Sequence, residues 1–215
     1  YIDLIRKIET RKVNIGIIGI GYVGLPLALS FSSKGIKVIG FDINEEVIKT
    51  LKEGRSHINH VDSKEVERGI KSQSFLPTQD FSLVKNLDLI LICLPTPLNK
   101  LREPDLSFIT QTIKSIRGFL KKGQLIRIES TTYPGATYEI IRPLIEFNDI
   151  QIGNNFFLTY SPERVDPGNK DYKLDKIPKV VGGDSKYCLD IGKKAYELIN
   201  SDVVLVSSTK AAEMT

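Results

Sequence analysis

The sequence predicts an α/β fold: a doubly wound, mainly parallel sheet with helices on both faces. Three observations carry this. Strand-like and helix-like segments alternate along almost the whole of the 215 residues. The short β-branched run Val13–Ile18 leads through a glycine-rich turn and an apolar helix into a second strand, a βαβ unit with a right-handed crossover. Leu87–Leu94 is almost wholly apolar, as a central strand covered on both faces must be.

The elements follow in order. Ile2, Ile5 and Ile8 recur at helical spacing and predict a short amphipathic helix over residues 1–10. After the strand Val13–Ile18, the residues Val23, Leu27, Ala28 and Phe31 mark a helix that Gly35 closes as a C-cap. Ile36–Phe41 is the next strand. Asn44 caps a helix carrying Val47, Ile48 and Leu51, with Gly54 past its end. A second short helix covers 63–71, and Phe75–Thr78 is a short strand. Asp105 caps a helix with Leu106, Ile109, Ile113 and Ile116. Gln124–Glu129 is a strand, and residues 136–147 form a helix that Pro143 should kink, unless it sits near a bend. Phe156–Tyr160 is a strand, and Lys179–Val181 another, ended by Gly182-Gly183. Residues 185–199 are helical, Val203–Val206 is the last strand, and Thr209–Thr215 begins a helix. The loop 164–178 is the longest irregular segment and reads as functional rather than as a linker. The expected organisation is one domain over 1–206, with 207–215 opening a helix that a longer protein would continue.

Composition narrows the function. With 41% hydrophobic and 26% charged residues the chain has the balance of a folded globular protein, not a disordered one. A net charge of +4, spread thinly, does not make a nucleic-acid surface. Cys93 and Cys188 stand alone, so neither a disulfide framework nor a zinc site is indicated, and a reducing, cytoplasmic setting is expected. His57 and His60 have no carboxylate or thiol array near them, so no metal is expected. Ile15–Phe31 lacks charges and follows Arg11-Lys12, as a signal peptide would. Its four glycines and the charged strand after it favour a folded segment, and no other run would span a bilayer.

The chemistry concentrates at strand ends. Gly19-Ile20-Gly21-Tyr22-Val23-Gly24 has the spacing GxGxxG between a strand and a helix. The first glycine permits the turn, the second admits a diphosphate to the backbone, and the third lets helix and strand pack. The helix N-terminus then offers N–H groups and a partial positive charge to phosphate. The motif alone is weak, and a plain glycine turn would look the same. Asp42 adds weight, since it closes the second strand eighteen residues after Gly24 and a carboxylate there can accept both ribose hydroxyls. It would repel a 2′-phosphate, and no Arg follows, so NAD is expected rather than NADP. Pro95-Thr96-Pro97 ends the buried strand, where ligands of such sheets bind, although a simple turn reads the same way. Glu129–Gly135 and Ser161–Arg164 end two further strands on that edge. Glu163 there fits a general base, and a structural ion pair or helix cap equally well. Cys93 and Cys188 read as inert thiols.

Together these blocks resemble the UDP-glucose/GDP-mannose dehydrogenase family. The matching segments are Gly19–Pro26 (GIGYVGLP), Ile92–Leu98 (ICLPTPL), Glu129–Gly135 (ESTTYPG), Ser161–Asn169 (SPERVDPGN), Val180–Gly183 (VVGG) and Ser208–Thr215 (STKAAEMT), in family order. ESTTYPG with SPERVDPGN is similar to the branch acting on UDP-N-acetylhexosamines, whereas the UDP-glucose branch usually has an aromatic after Pro-Glu. The resemblance implies a Rossmann fold and an oxidation of a C6 alcohol by four electrons to a uronic acid, for surface polysaccharide precursors. Two NAD act in succession, and a cysteine holds the intermediate. It implies that Glu163 acts in acid/base steps and that Thr131 positions water beside the nicotinamide. It also implies that Arg164 and 165–169 lie by the substrate. Gly19, Gly21, Tyr22, Val23, Gly24, Asp42, Pro95, Thr96 and Thr131 would line the cofactor. Ser208–Thr215 resembles the start of the family's central helix, through which its homodimer forms; the rest of that helix, the catalytic lysine, asparagine and cysteine and the UDP-binding domain fall past Thr215, and Lys210 lies too early to be that lysine. Alone, the chain is expected to bind NAD without completing the reaction. UDP-glucose or UDP-N-acetylmannosamine as substrate, and a non-catalytic NAD-binding module, are other readings; a third, a two-electron hydroxyacid or phosphogluconate-type dehydrogenase, shares the Rossmann core but has no reason to carry SPERVDPGN.

Overall fold

The computed structural model describes residues 1–99, 102–163, 178–199 and 202–215. Eight strands form one sheet: β1 (Asn14–Ile18), β2 (Lys37–Phe41), β3 (Phe75–Thr78), β4 (Leu89–Ile92), β5 (Leu125–Ile128), β6 (Phe157–Tyr160), β7 (Lys179–Gly183) and β8 (Val203–Val206). Their order is β3-β2-β1-β4-β5-β6-β7-β8. Strands β1 to β6 are parallel, so the chain reverses direction about β1 and leaves a crevice beyond its carboxyl end, where open α/β sheets bind ligands. β4 and β5 are buried along their whole length, and each fully buried Leu or Ile contributes about 1.5–3 kcal/mol.

The helices are α1 (Ile2–Glu9), α2 (Gly24–Ser33), α3 (Glu45–Lys52), α4 (Ser63–Lys71), α5 (Ser107–Ile116), α6 (Arg142–Ile145), α7 (Lys186–Glu197) and α8 (Thr209–Glu213). Local chemistry sets their ends. The Asn44 side chain accepts from the amides of Glu46 and Val47, and Asp62 accepts from Lys64. The Asp105 side chain accepts from the Ser107 amide at 2.8 Å. α2 and α7 cover one face of the sheet, and α8 lies on the other.

α1 is the expected amphipathic helix, and it buries Leu4 and Ile8 and leaves Ile2 exposed. Residues 136–145 are helical without a break, and the helix accommodates Pro143 by widening to a π turn over Thr137–Ile141 directly before the turn Arg142–Ile145. The wider turn removes the need for the amide that proline lacks. Two strand ends, those of β4 and β7, depart from expectation. β4 stops at Ile92, so Cys93 is half-buried just beyond the strand. β7 runs through both glycines instead of stopping before them, and it is antiparallel to β6. Those glycines are squeezed from both sides. A Cβ on Gly182 would lie 2.3 Å from the Ser208 carbonyl oxygen, and one on Gly183 3.0 Å from the Cys188 Cβ. α8 and α7 therefore approach the sheet closely at one point.

α8 is anchored by a carboxylate. Glu213 is buried and accepts from the Thr132 hydroxyl at 3.0 Å, the Gly135 amide at 2.6 Å, and the Thr137 amide and hydroxyl at 2.8 and 2.6 Å. It thereby caps the turn after β5 and fixes the segment 132–137 against α8. Asp184 holds the start of α8 in the same way, accepting from the Thr209 amide at 3.0 Å. Glu213→Ala strands two buried amides and is expected to lower the unfolding free energy by about 3 kcal/mol. Urea unfolding measures this, and a loss within error of zero would contradict the anchoring role.

Candidate functional site

One line of backbone hydrogen bonds crosses the carboxyl edge. The Asp42 amide donates to Thr78, Gly19 to Phe41, Cys93 to Ile18, Glu129 to Ile92 and Ser161 to Ile128. Residues 42, 19, 93, 129 and 161 thus lie side by side on neighbouring strands. Counting two residues further along β4, β5 and β6 brings Pro95, Thr131 and Glu163 to a second row. Sequence-distant candidates are brought to one edge by strand register alone.

At the first row sits the glycine turn. Gly19 has φ +91°, and a Cβ on it would meet the Cys93 carbonyl oxygen at 2.6 Å. A Cβ on Gly24 would lie 1.9 Å from the Gly19 carbonyl oxygen, so the first turn of α2 packs on the loop with no room for a side chain. Gly21 is different, since a Cβ there meets nothing within 4 Å. The turn requires Gly19 and Gly24, while Gly21 leaves backbone open toward solvent. Among the described residues no carbonyl accepts from the amides of Tyr22, Val23 or Gly24. These donors stand at the positive end of α2 and fit a diphosphate. Tyr22 is exposed and Val23 half-buried.

Asp42 turns back on this loop. Its Oδ2 accepts from the Ile20 amide at 3.1 Å and its Oδ1 from the Asn44 amide at 2.9 Å. A carboxylate has about four acceptor sites, so capacity remains for ribose hydroxyls. The residues present therefore fit an adenine dinucleotide: free amides, an uncovered glycine and a fixed carboxylate on one edge. Pro95 and Thr131 are exposed there and Thr96 is half-buried. Thr131 and Thr132 part company, the second turned inward to Glu213.

Beside this edge lies a buried charged cluster. Arg127 on β5 is fully buried. It donates from Nη2 to the Gly192 carbonyl at 2.6 Å and from Nε to the Thr159 hydroxyl at 3.3 Å, and its guanidinium lies 4.0 Å from the Tyr196 ring centre. Glu129 accepts from the Tyr196 hydroxyl at Oε2, 2.5 Å away. Lys179 Nζ lies 2.7 Å from Glu163 Oε2 and 3.8 Å from Glu129 Oε2. Burial raises the Glu129 carboxyl above the ordinary range, although Lys179 and Arg127 pull it back. Burial alone would lower the Lys179 ammonium, but Tyr196, Glu129 and Glu163 outweigh it and hold the ammonium above its ordinary value. The Tyr196 hydroxyl is raised by burial and then by Glu129. Burial, with Glu129 and Glu163 facing it, pushes the Cys93 thiol well up, which fits an inert thiol rather than a nucleophile.

The sequence reading placed Asp42, the glycines, Pro95, Thr96, Thr131 and Glu163 on one edge, and they are found there. Arg164 and 165–169 lie outside the described residues. Arg127, Lys179, Tyr196 and Glu213 were missed, and Glu129 was noted only as part of a motif. One signal was available: Arg127 and Glu129 interrupt an apolar strand at alternate positions, and a buried charge needs a buried partner. Among the described residues no group of His, Cys, Asp and Glu is arranged to hold a metal, and no helix is long and apolar enough to cross a membrane. A separate cavity of about 490 Å³, lined by Gly183, Ser185, Leu189 and Leu205 among others, lies past the C-terminal end of β7. It contains none of the residues of this edge.

Comparison with known proteins fits this geometry. Protein CapL of Staphylococcus aureus is 38% identical over 202 residues, covering 93% of this chain and 46% of that protein. A UDP-N-acetyl-D-glucosamine 6-dehydrogenase of Pseudomonas aeruginosa is 35% identical over 205 residues, covering 94% and 48%. The native structure of the UDP-N-acetyl-mannosamine dehydrogenase Cap5O from Staphylococcus aureus superposes with a TM-score of 0.87 at 31% identity, covering 94% of this chain and 49% of that one. The chain spans about half the length of the curated relatives it matches. Residues 13–200 match the family's NAD binding domain, and the chain belongs to the UDP-glucose/GDP-mannose dehydrogenase family.

Proposed function

We propose that this chain is the NAD-holding part of a dehydrogenase that oxidises the C6 alcohol of a UDP-N-acetylhexosamine to the uronic acid. Residues 1–206 would form the dinucleotide domain, and 207–215 the start of the helix that follows it. The observation that carries the reading is the single edge that holds a free helix N-terminus, Asp42, Thr131 and Glu163. The relatives named for UDP-N-acetyl-D-glucosamine and UDP-N-acetyl-mannosamine support this substrate class.

Each residue has a task. The amides of Tyr22, Val23 and Gly24 receive the diphosphate over Gly21, and Asp42 takes the adenosine ribose. Bound there, NAD supplies the hydride acceptor. Pro95 and Thr96 wall the crevice at the next strand. Thr131 holds a water by its hydroxyl, and Glu163, one strand away at the same height, moves a proton to or from the substrate side. Arg164, in the family pattern, would meet the sugar nucleotide.

Two glycine variants separate fold from binding. Gly21→Ala enters open space, so its melting temperature should stay within a degree or two while NAD affinity falls at least tenfold by calorimetry. Gly24→Ala collides with the Gly19 carbonyl and should lose on the order of 1–3 kcal/mol of stability. If Gly21→Ala bound NAD normally, the diphosphate would not lie over that turn. Asp42→Ala should weaken NAD by a factor of ten or more and erase its preference over NADP. Equal loss of both cofactors would show that Asp42 only braces the loop. In the whole enzyme, Glu163→Gln should cut turnover by about 10²–10⁴ with little change in NAD affinity. Wild-type turnover would remove Glu163 from the chemistry.

A further inference from the structure

We propose that Lys179 is a positioning residue for Glu163, setting the direction of its carboxylate at the dinucleotide edge. This rests on the reading of Glu163 given above and adds what makes that residue usable.

The placement comes from strand direction. β7 runs antiparallel to β6, with Thr159 opposite Gly183 and Tyr160 opposite Gly182. Continuing that register sets Lys179, the first residue of β7, against Glu163, just past the end of β6. A parallel β7 would have begun at the far end of the sheet. One strand reversal therefore delivers an ammonium to the edge where β1 to β6 end.

The ammonium has little freedom once there. The Lys179 side chain is 3% exposed, so its stem is packed along its length. Beneath it lie the Glu129 carboxylate, 3.8 Å from Nζ, and the Tyr196 ring, 5.4 Å from Nζ. Glu129 is held in turn by the Tyr196 hydroxyl, and its other oxygen lies 3.9 Å from Arg127 Nη1. Two cations and two carboxylates are thus stacked on one face of the sheet, and the short 2.7 Å contact points outward, to Glu163 Oε2. A buried ion pair of this kind adds little net stability, because loss of hydration offsets the attraction. What it does supply is one orientation. A proton-transferring carboxylate must meet its partner at hydrogen-bond distance, and a displacement of about 1 Å costs on the order of 100-fold in rate.

The test uses the whole enzyme with NAD and UDP-N-acetylglucosamine, and the chain alone for structure. Lys179→Met should lower kcat on the order of 100-fold, while the sugar-nucleotide KM and NAD affinity stay within about threefold. Lys179→Arg, which keeps the cation, should recover most of the loss. The double variant Lys179→Met/Glu163→Gln should be no slower than Glu163→Gln, because Lys179 acts only through Glu163. Losses that multiply would overturn the positioning role and leave Glu163 in the chemistry. A fully active Glu163→Gln would instead remove the Glu163 reading itself. A crystal structure of the Lys179→Met chain reads the same point without activity: Glu163 should swing away, and an unmoved carboxylate overturns the proposal. If Lys179→Met does not fold, Lys179→Gln takes its place in every arm.

Discussion

The hydrogen-bonded row that joins residues 42, 19, 93, 129 and 161 is the constraint on which the rest of the structure depends. Strand register is all or nothing, since a slip of one residue turns each side chain to the opposite face. With β4 and β5 buried on both faces, no slip is tolerated, and the ends of five strands are fixed relative to one another. The glycine turn and the acid of β2 need this at one end of the row. The hydroxyls and carboxylates of β5 and β6 need it at the other. The strands between them hold the two groups at a set spacing.

Two acids of α8 and β5 show how that edge is kept rigid. Glu213 ties the segment after β5 to α8, and Glu129 ties the end of β5 to Tyr196 on α7. They lie on opposite faces of the sheet, because α7 packs against Gly183 and α8 against Gly182. Thr131 lies between the two attachments, exposed, on backbone held from both sides. Burying four charges beside it is costly in isolation, and pairing them two against two is what makes the site tolerable.

Much of this was legible in the chain. The glycine turn and Asp42 were readable because both belong to one βαβ unit, where local spacing fixes the geometry. Thr131 and Glu163 were readable because parallel strands bring their carboxyl ends to one edge. The direction of β7 was not. Val180–Gly183 has the composition of a strand, but alternation does not say which way a strand runs, and Lys179 acquires its partners only through that direction. Glu213 was hidden for a related reason, since its hydrogen bonds reach back 76 to 81 residues. The π turn before Pro143 was masked by a pattern of apolar residues that suits a regular helix equally well.

The central claim is that NAD lies across the carboxyl edge, from Asp42 through the glycine turn toward Thr131. A crystal structure of this chain with NAD tests it most directly. The account predicts the diphosphate against the amides of Tyr22, Val23 and Gly24 over Gly21, and the adenosine ribose on the Asp42 carboxylate. A dinucleotide seated in the cavity beyond β7, or one whose ribose leaves Asp42 bonded only to its own loop, would contradict it.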